Sequence, residues 1–423
     1  MRVLILALGS RGDVLPYLVL GSALQAVGHR VRVATFATFA PLVAARQMAF
    51  HAIPGDPQHL LQMAGGINAD RSLSGVVRLW RMIAGSFGSL AESYVVALSD
   101  PNLRATDLLI NQLPGGIFGS DLAEALGIPL VLASVIPLTR TATMPAMGFP
   151  ALPVPGYHRM TYRLAEQLVW QLFRGVIQRW RVQTLGLRHL PPLGPFAHLA
   201  HARVPVINGF SSYLVPRPPD WPAHVAITGP WLESYDTQGP WHPPEDVVRF
   251  LAAGAPPVYV GFGSMTVADP AHLAALVVRA LQRAGRRGIV HAGWAQLPYR
   301  DLPSTIMAVE PLPFDWLFPQ LAAIVHHGGS GTTAVGFRAG VPTAVVPFGF
   351  DQYYWGERLH TLGVGAAPVP FRTLSEAQLA EAITAACQPT MQQRAAEFGA
   401  RARAEDGVRT ALTWIERVTG VTT

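Results

Sequence analysis

The sequence predicts an α/β protein made of two Rossmann-like parallel-sheet domains facing each other across an interdomain cleft. Three observations carry that reading. Two separate stretches alternate short apolar strands with segments of helical spacing. A proline-rich segment divides them, and three of the strands run straight into glycine turns, after Leu8, Val260 and Val325. Ligands of open α/β sheets bind outside such carboxyl ends. The chain has 423 residues, too many for one ordinary core and suited to two domains of about 200. Half of them are hydrophobic and 14% charged, so large cores are expected and disorder is not.

The first strand is Val3–Leu8, a continuous apolar run of the kind a sheet covered on both faces requires. Gly9–Gly12 is the turn. From Val14 to Val27 the apolar positions 14, 15, 18, 19, 23, 24 and 27 recur with helical spacing, Asp13 serving as N-cap and Gly28 as terminator. Val31–Thr35 is the next strand, and the rhythm continues at Leu108–Asn111, Leu122–Gly127 and Leu130–Ala133 with right-handed crossovers. Pro137–Pro155, rich in proline, methionine and threonine, is an irregular loop; loops of that length are commonly lids or binding walls. A basic helical stretch follows, Tyr157–Leu185, with Trp170, Phe173 and Trp180. Its plain explanation is a helix packed by its apolar face. The competing one is a surface for an apolar acceptor or for a membrane.

Repeated prolines over Pro216–Pro244 mark the linker. The second half then restarts with strand Val258–Gly261, glycine turn Gly261–Ser264, helix Pro270–Ala284 and strands Ile289–His291, Met307–Val309 and Ala323–Val325. The chain is helical again from Gln378. The expected division is a first domain over 1–216, a linker over 217–240, a second domain over 241–405, and a C-terminal helix, 406–423, packing back on the first domain.

The densest stretch is VHHGGSGTTAVGFRAGVPTAVVPFGFDQYYWGERL, from Val325 onward. Gly328, Gly329 and Gly331 let the backbone turn and expose its N–H groups. Thr332-Thr333 begin a helix that ends at Ala339, with Gly340 as C-cap. Backbone amides at a helix start form an anion site. His326 and His327 precede it; on an extended strand they point to opposite faces, so one of them, His327, is taken to meet the anion. Thr343–Val346 is a strand, and Asp351-Gln352 follow on a loop, where their plain role is to cap the next helix. This order suits a diphosphate at the glycine turn with polar groups reading what it carries, as in a nucleotide-sugar.

Several classes are excluded or disfavoured. No apolar run approaches the ~18 residues of a membrane span. Val3–Leu8 breaks into Gly9-Ser10-Arg11-Gly12-Asp13 where a secretory leader would continue, so a cytoplasmic protein is expected. Cys387 is the single cysteine, which rules out an internal disulfide, and it reads as a small buried apolar residue. The net charge is +6 with a pI near 9.8, and all 32 basic residues are arginine. Without lysine there is no Walker-type loop and no Schiff base. The arginines lack the aromatic alternation of a nucleic-acid groove, so no nucleic-acid partner is expected. No Asp-x-Asp occurs, and no further ligand accompanies the two histidines, so neither a metal nor another cofactor is expected.

Four stretches together resemble a known family. GSRGDVLPYLVLGSALQAVGHRVRVAT looks like its N-terminal unit, AEALGIPLVLASVIPLTRTATMP like the sterol-type N-domain, PPVYVGFGSM like the start of its C-domain, and LPFDWLFPQLAAIVHHGGSGTTAVGFRAGVPTAVVPFGFDQYYWGERL like its nucleotide-sugar signature. The family is that of the inverting glycosyltransferases with the GT-B fold, of UDP-glycosyltransferase type, in particular sterol glucosyltransferases and glycosyltransferases of bacterial natural-product pathways. The resemblance implies that Asp13 is the general base. It implies that His327, Gly329, Ser330, Gly331, Thr332 and Ser264 hold the donor diphosphate, and that Asp351 and Gln352 bind the transferred sugar. Ser10, Arg11, Gly12, Trp294, Thr139, Thr141 and Trp355 are candidate acceptor or donor contacts. The implied reaction moves a hexose, glucose from UDP-glucose, to a hydroxyl of a sterol or other lipophilic acceptor, with no metal and with peripheral membrane association as an option. The chain departs from the family at Phe314, where a histidine or other polar residue is more usual, and at Gly349-Phe350 before the Asp-Gln pair. It also carries Val335 where plant relatives have a ribose-binding glutamate.

Rivals are a deoxysugar transferase acting on a polyketide, macrolide or peptide aglycone, a nucleotide-sugar 2-epimerase, and a non-catalytic accessory protein. The epimerase should carry several acidic residues in its cleft. The accessory protein should lack Asp13, His327 or the Asp-Gln pair.

Overall fold

The computed structural model describes residues 1–56, 91–113, 116–233, 241–349 and 351–420. The chain forms two compact units, one holding Met1–Gly209, Arg217–Trp231 and Gly407–Thr423, the other Phe210–Pro216 and Leu232–Asp406.

The first unit is built on seven strands: β1 (Arg2–Leu6), β2 (Arg30–Phe36), β3 (Ala49–Ile53), β4 (Leu108–Gln112), β5 (Leu130–Ser134), β6 (Val206–Asn208) and β7 (Val225–Ile227). They lie all parallel in the order β3-β2-β1-β4-β5-β6-β7. Val3 of β1 sits opposite Val31 on one side and Leu108 on the other, so β1 is central and its apolar side chains are fully buried. Each such leucine or isoleucine contributes about 1.5–3 kcal/mol. The chain runs outward from β1 to β3, then returns to β4 on the other flank. That reversal, between β1 and β4, is the place where such sheets open a crevice.

The second unit repeats the plan with five strands: β8 (Val258–Gly261), β9 (Gly288–His291), β10 (Ile306–Val309), β11 (Ala323–His326) and β12 (Thr343–Val345), parallel in the order β10-β9-β8-β11-β12. Its reversal falls between β8 and β11.

Five helices matter below: α1 (Arg11–Ala26), α2 (Tyr157–Arg179), α3 (Pro270–Arg283), α4 (Ser330–Ala339) and α5 (Gln352–Thr361). α1 starts earlier than its apolar spacing indicates, because Ser10 is the N-cap and Asp13 stands in the first turn rather than at the cap. α4 likewise starts at Ser330, not Thr332, with Gly329 as N-cap and Gly340, at φ 78°, closing it. Between β4 and β5, the stretch Leu122–Gly127 is the end of a helix, Gly116–Leu126, and the glycine after it.

Pro137–Pro155 contains no helix or strand. α2 packs by the face that carries Trp170 and Ile177, and Trp180 just beyond it is buried too; the two indole N–H groups donate to Pro192 O at 2.7 Å and Ser99 Oγ at 2.9 Å. The expected linker 217–240 is not uniformly a linker. Val225–Ile227 is a strand of the first sheet, pairing with β6, because its apolar residues complete that edge. Residues 234–240 and 421–423 lie outside the described residues. The last helix, Gly407–Thr419, belongs to the first unit, with Ala411 and Ile415 in that unit's core. Cys387 is buried among apolar side chains of the second unit. Among the described residues no helix is long and apolar enough to cross a membrane.

Candidate active site

In the first unit the turn after β1 lies at the β1/β4 reversal. Asp13 Oδ2 accepts two hydrogen bonds from Ser10, from its N–H and from its Oγ, each 2.8 Å. Gly9 adopts φ 130°, and a Cβ there would stand 2.5 Å from the same carboxylate oxygen. Glycine is needed at that point. Burial pushes the Asp13 carboxyl above its usual 3.8, while the two bonds from Ser10 hold it back. Arg11 and Gly12 are exposed, and Asp13 itself is half-buried, so a solute can reach it. One turn on, Tyr17 is buried and donates to Ala133 O at 2.9 Å.

A residue not singled out in the sequence ties this turn to the sheet. Gln112, the last residue of β4, accepts from Leu8 N–H at 2.5 Å and reaches Asp13 O at 3.5 Å. The signal was the polar pair Asn111-Gln112 ending an otherwise apolar strand.

In the second unit four turns converge at the carboxyl ends of the strands. His327 follows β11 and is buried, which lowers its pKa to about 4. It is therefore neutral near pH 7, and its Nδ1 has no partner among the described residues. Glycines make room for the ring: a Cβ on Gly263 would lie 2.9 Å from His327 Cε1, and one on Gly329 would strike its Nε2. His326, fully buried, instead accepts from Gly328 N–H through Nδ1 at 2.9 Å and is structural. Gly328, at φ 91°, lies against Val345 and the backbone of Gln352.

Gly329 offers no side chain to cap α4, so the first amides of that helix, at Ser330, Gly331 and Thr332, are left for an anion. These residues are half-buried and reachable. Ser264 sits half-buried on the turn beyond β8, next to Gly263, and Gly263 O accepts from Trp294 N–H at 2.9 Å. The turns after β8, β9, β11 and β12 are thus in mutual contact, and the predicted diphosphate residues gather on one side of the second sheet.

The structure revises several expected contacts. Trp355 is 1% exposed, so it is core rather than a substrate contact; its indole N–H donates to Asp351 Oδ2 at 2.9 Å and aims that carboxylate. Asp351 is the N-cap residue of α5 and half-buried. Gln352 is buried, with Oε1 accepting from Phe348 N–H at 2.7 Å and Gly349 N–H at 3.2 Å, and Nε2 on Met265 Sδ at 3.3 Å. Its carbonyl shapes the loop instead of facing a sugar. Thr141 is fully buried, donating to Asp220 Oδ1 at 2.6 Å, so it pins its loop and is not a wall of a pocket. Thr139 is half-buried with a hydroxyl lacking a partner among the described residues. Phe314 stacks on Phe318 at 4.5 Å, which explains an aromatic there.

Residues 3–145 match the glycosyltransferase family 28 N-terminal domain, and residues 287–408 the C-terminal domain of erythromycin biosynthesis protein CIII-like proteins. A sterol 3-beta-glucosyltransferase of Arabidopsis thaliana is 34% identical over 97% of this chain and 67% of its own length. A sterol 3-beta-glucosyltransferase of Emericella nidulans is 36% identical over 99% of this chain, which spans only 30% of that longer protein. The solved structure of the glycosyltransferase VinC in complex with DTDP shares the fold at a TM-score of 0.66, with 19% identity and all of both chains covered. Fold and relatives together define a glycosyltransferase of the GT-B class. The chain belongs to the UDP-glycosyltransferase family, among the relatives of the sterol glucosyltransferases.

Proposed function

We propose that the protein transfers glucose from UDP-glucose to the hydroxyl of a sterol or similar lipophilic acceptor, with inversion and without a metal. The observation that carries the mechanism is a reachable carboxylate with an elevated pKa at one strand end, together with uncapped helix amides beside a neutral histidine at another. Asp13 takes the proton of the acceptor hydroxyl as its oxygen attacks the anomeric carbon opposite the diphosphate; burial that raises its pKa makes it a better base. The electron pair of the broken glycosidic bond goes to the diphosphate. The growing charge is met by the amides of Ser330, Gly331 and Thr332 and by Ser264, with His327 giving an N–H rather than a positive charge. Preorganised donors of this kind are usually the largest catalytic contribution. Asp351, aimed by Trp355, accepts from sugar hydroxyls, and Gln352 holds the loop that presents it. The names of the relatives at 34% and 36% identity support a sterol acceptor and glucose.

A second reading, a deoxysugar nucleotide donor, is favoured by the match of residues 287–408 to the erythromycin-type C-terminal domain. One experiment separates the two. The protein is incubated with UDP-glucose or a dTDP-deoxysugar, each with a panel of sterols and macrolactones; products are weighed by mass spectrometry and their anomeric configuration read by NMR. A β-glucoside of a sterol is expected. Product from the deoxysugar donor alone would replace the first reading by the second, and an α-glucoside would refute inversion.

A further inference from the structure

Eleven large apolar side chains are exposed among the described residues, and six of them fall between positions 152 and 193. Met160, Leu164 and Leu168 of α2 are 48%, 46% and 47% exposed and recur every fourth residue, so they line one face of the helix. Leu152 and Val154 precede that helix, and Tyr157 N–H bonds Val154 O at 3.1 Å at its start. Leu193, the most exposed of the set, is held beside the same helix by Gln167 Nε2 donating to its carbonyl at 2.8 Å. Apolar patches of this continuity on a protein surface mark contact with another phase or partner.

Charge identifies the partner. Residues 151–200 hold six arginines. Arg159 is paired with Asp220, Arg179 with Glu92, and Arg181 with Asp121 and Glu124, while the one carboxylate of the span, Glu166, is paired with Arg140. Arg163 and Arg174 are exposed, three helical turns apart along one edge of the apolar face, and have no partner among the described residues. A second copy of the chain would bring these arginines against each other. Anionic headgroups would pair with them while the leucines enter the acyl boundary.

We propose that α2, with Leu152, Val154 and Leu193, docks the protein on an anionic lipid surface. This docking is independent of the donor and acceptor chemistry above, so it is tested by binding and not by turnover. The full chain is sedimented with vesicles of phosphatidylcholine alone or with added phosphatidylglycerol, at low and high salt. The protein pellets with the anionic vesicles, less so as salt rises. The pair Leu164→Glu with Leu168→Glu lowers vesicle affinity more than about tenfold. The pair Arg163→Gln with Arg174→Gln lowers it by about fivefold per arginine on anionic vesicles only. All these positions are exposed, so the midpoint of thermal unfolding stays at the wild-type value. Absence of wild-type binding to anionic vesicles, or binding that neither pair alters, overturns the proposal. So does a leucine-pair variant that keeps its vesicle affinity but turns a dimer into a monomer in sedimentation velocity, which would assign the face to a second copy.

Discussion

The two sheets reverse their strand order at equivalent places, β1/β4 in one unit and β8/β11 in the other, yet they furnish those places oppositely. At the first, a carboxylate stands in the opening turn of α1, shielded enough to raise its pKa and reachable enough to take a proton. At the second, α4 begins without any side-chain cap, beside a histidine that burial keeps neutral. The lesson concerns helix starts. In α1 the side chain of Asp13 accepts from the N-cap amide and hydroxyl of Ser10. In α4 glycine leaves the amides open. One topology thus yields a half-buried carboxylate at one switch point and uncapped amides at the other, by a change in the first turn of a helix.

The comparison breaks most readily at Asp13. Asp13→Asn should cut turnover by about 10²–10⁴-fold while calorimetry finds UDP affinity unaltered, because only the proton acceptor is lost. The wild-type rate should also fall as pH drops through a pKa above the 3.8 of a free aspartate, since the raised value lets Asp13 protonate, and so stop acting as base, sooner. An acid limb centred at or below 3.8 would contradict the burial argument.

A smaller effect is expected at the other switch point. His327→Ala should weaken UDP-glucose binding by about 1 kcal/mol, the worth of one neutral hydrogen bond. Because the imidazole titrates at about 4, affinity for UDP-glucose should stay level from about pH 8 to about pH 5.5. Binding that strengthens on acidification near pH 6.5 would mean that the histidine acts as a cation.

The smallest change is Trp355→Phe, which keeps the core filled and removes only the indole N–H on Asp351. Its KM for UDP-glucose should rise by roughly threefold to tenfold, again the scale of a single hydrogen bond, with UDP affinity untouched. Equal losses for UDP and UDP-glucose would show that Trp355 supports the diphosphate turn and not the sugar carboxylate.

Much of this arrangement was legible in the chain. Val3–Leu8 and Val258–Gly261 read as buried parallel strands because both faces of such a sheet are covered and polar residues have no place there. The glycines at 328, 329 and 331 marked the anion turn. β3, β6 and β7 were not read: β3 carries His51 amid its apolar residues, and β6 and β7 are three residues long. The helix starts slipped by two or three residues, since Ser10 and Gly329 cap through backbone conformation that apolar spacing does not report.

The family and the two α/β units were legible in the chain alone, because they follow from local periodicity and from backbone freedom at glycine. Only the tertiary structure decided what each polar side chain at the strand-end turns does. Trp355 and Thr141 point into the protein, Gln352 spends its carbonyl on two backbone amides, and His327 loses its charge. The reason is that burial and hydrogen-bond partners come from residues such as Asp220, Met265 and Gly263, set by packing between elements distant from one another in the chain.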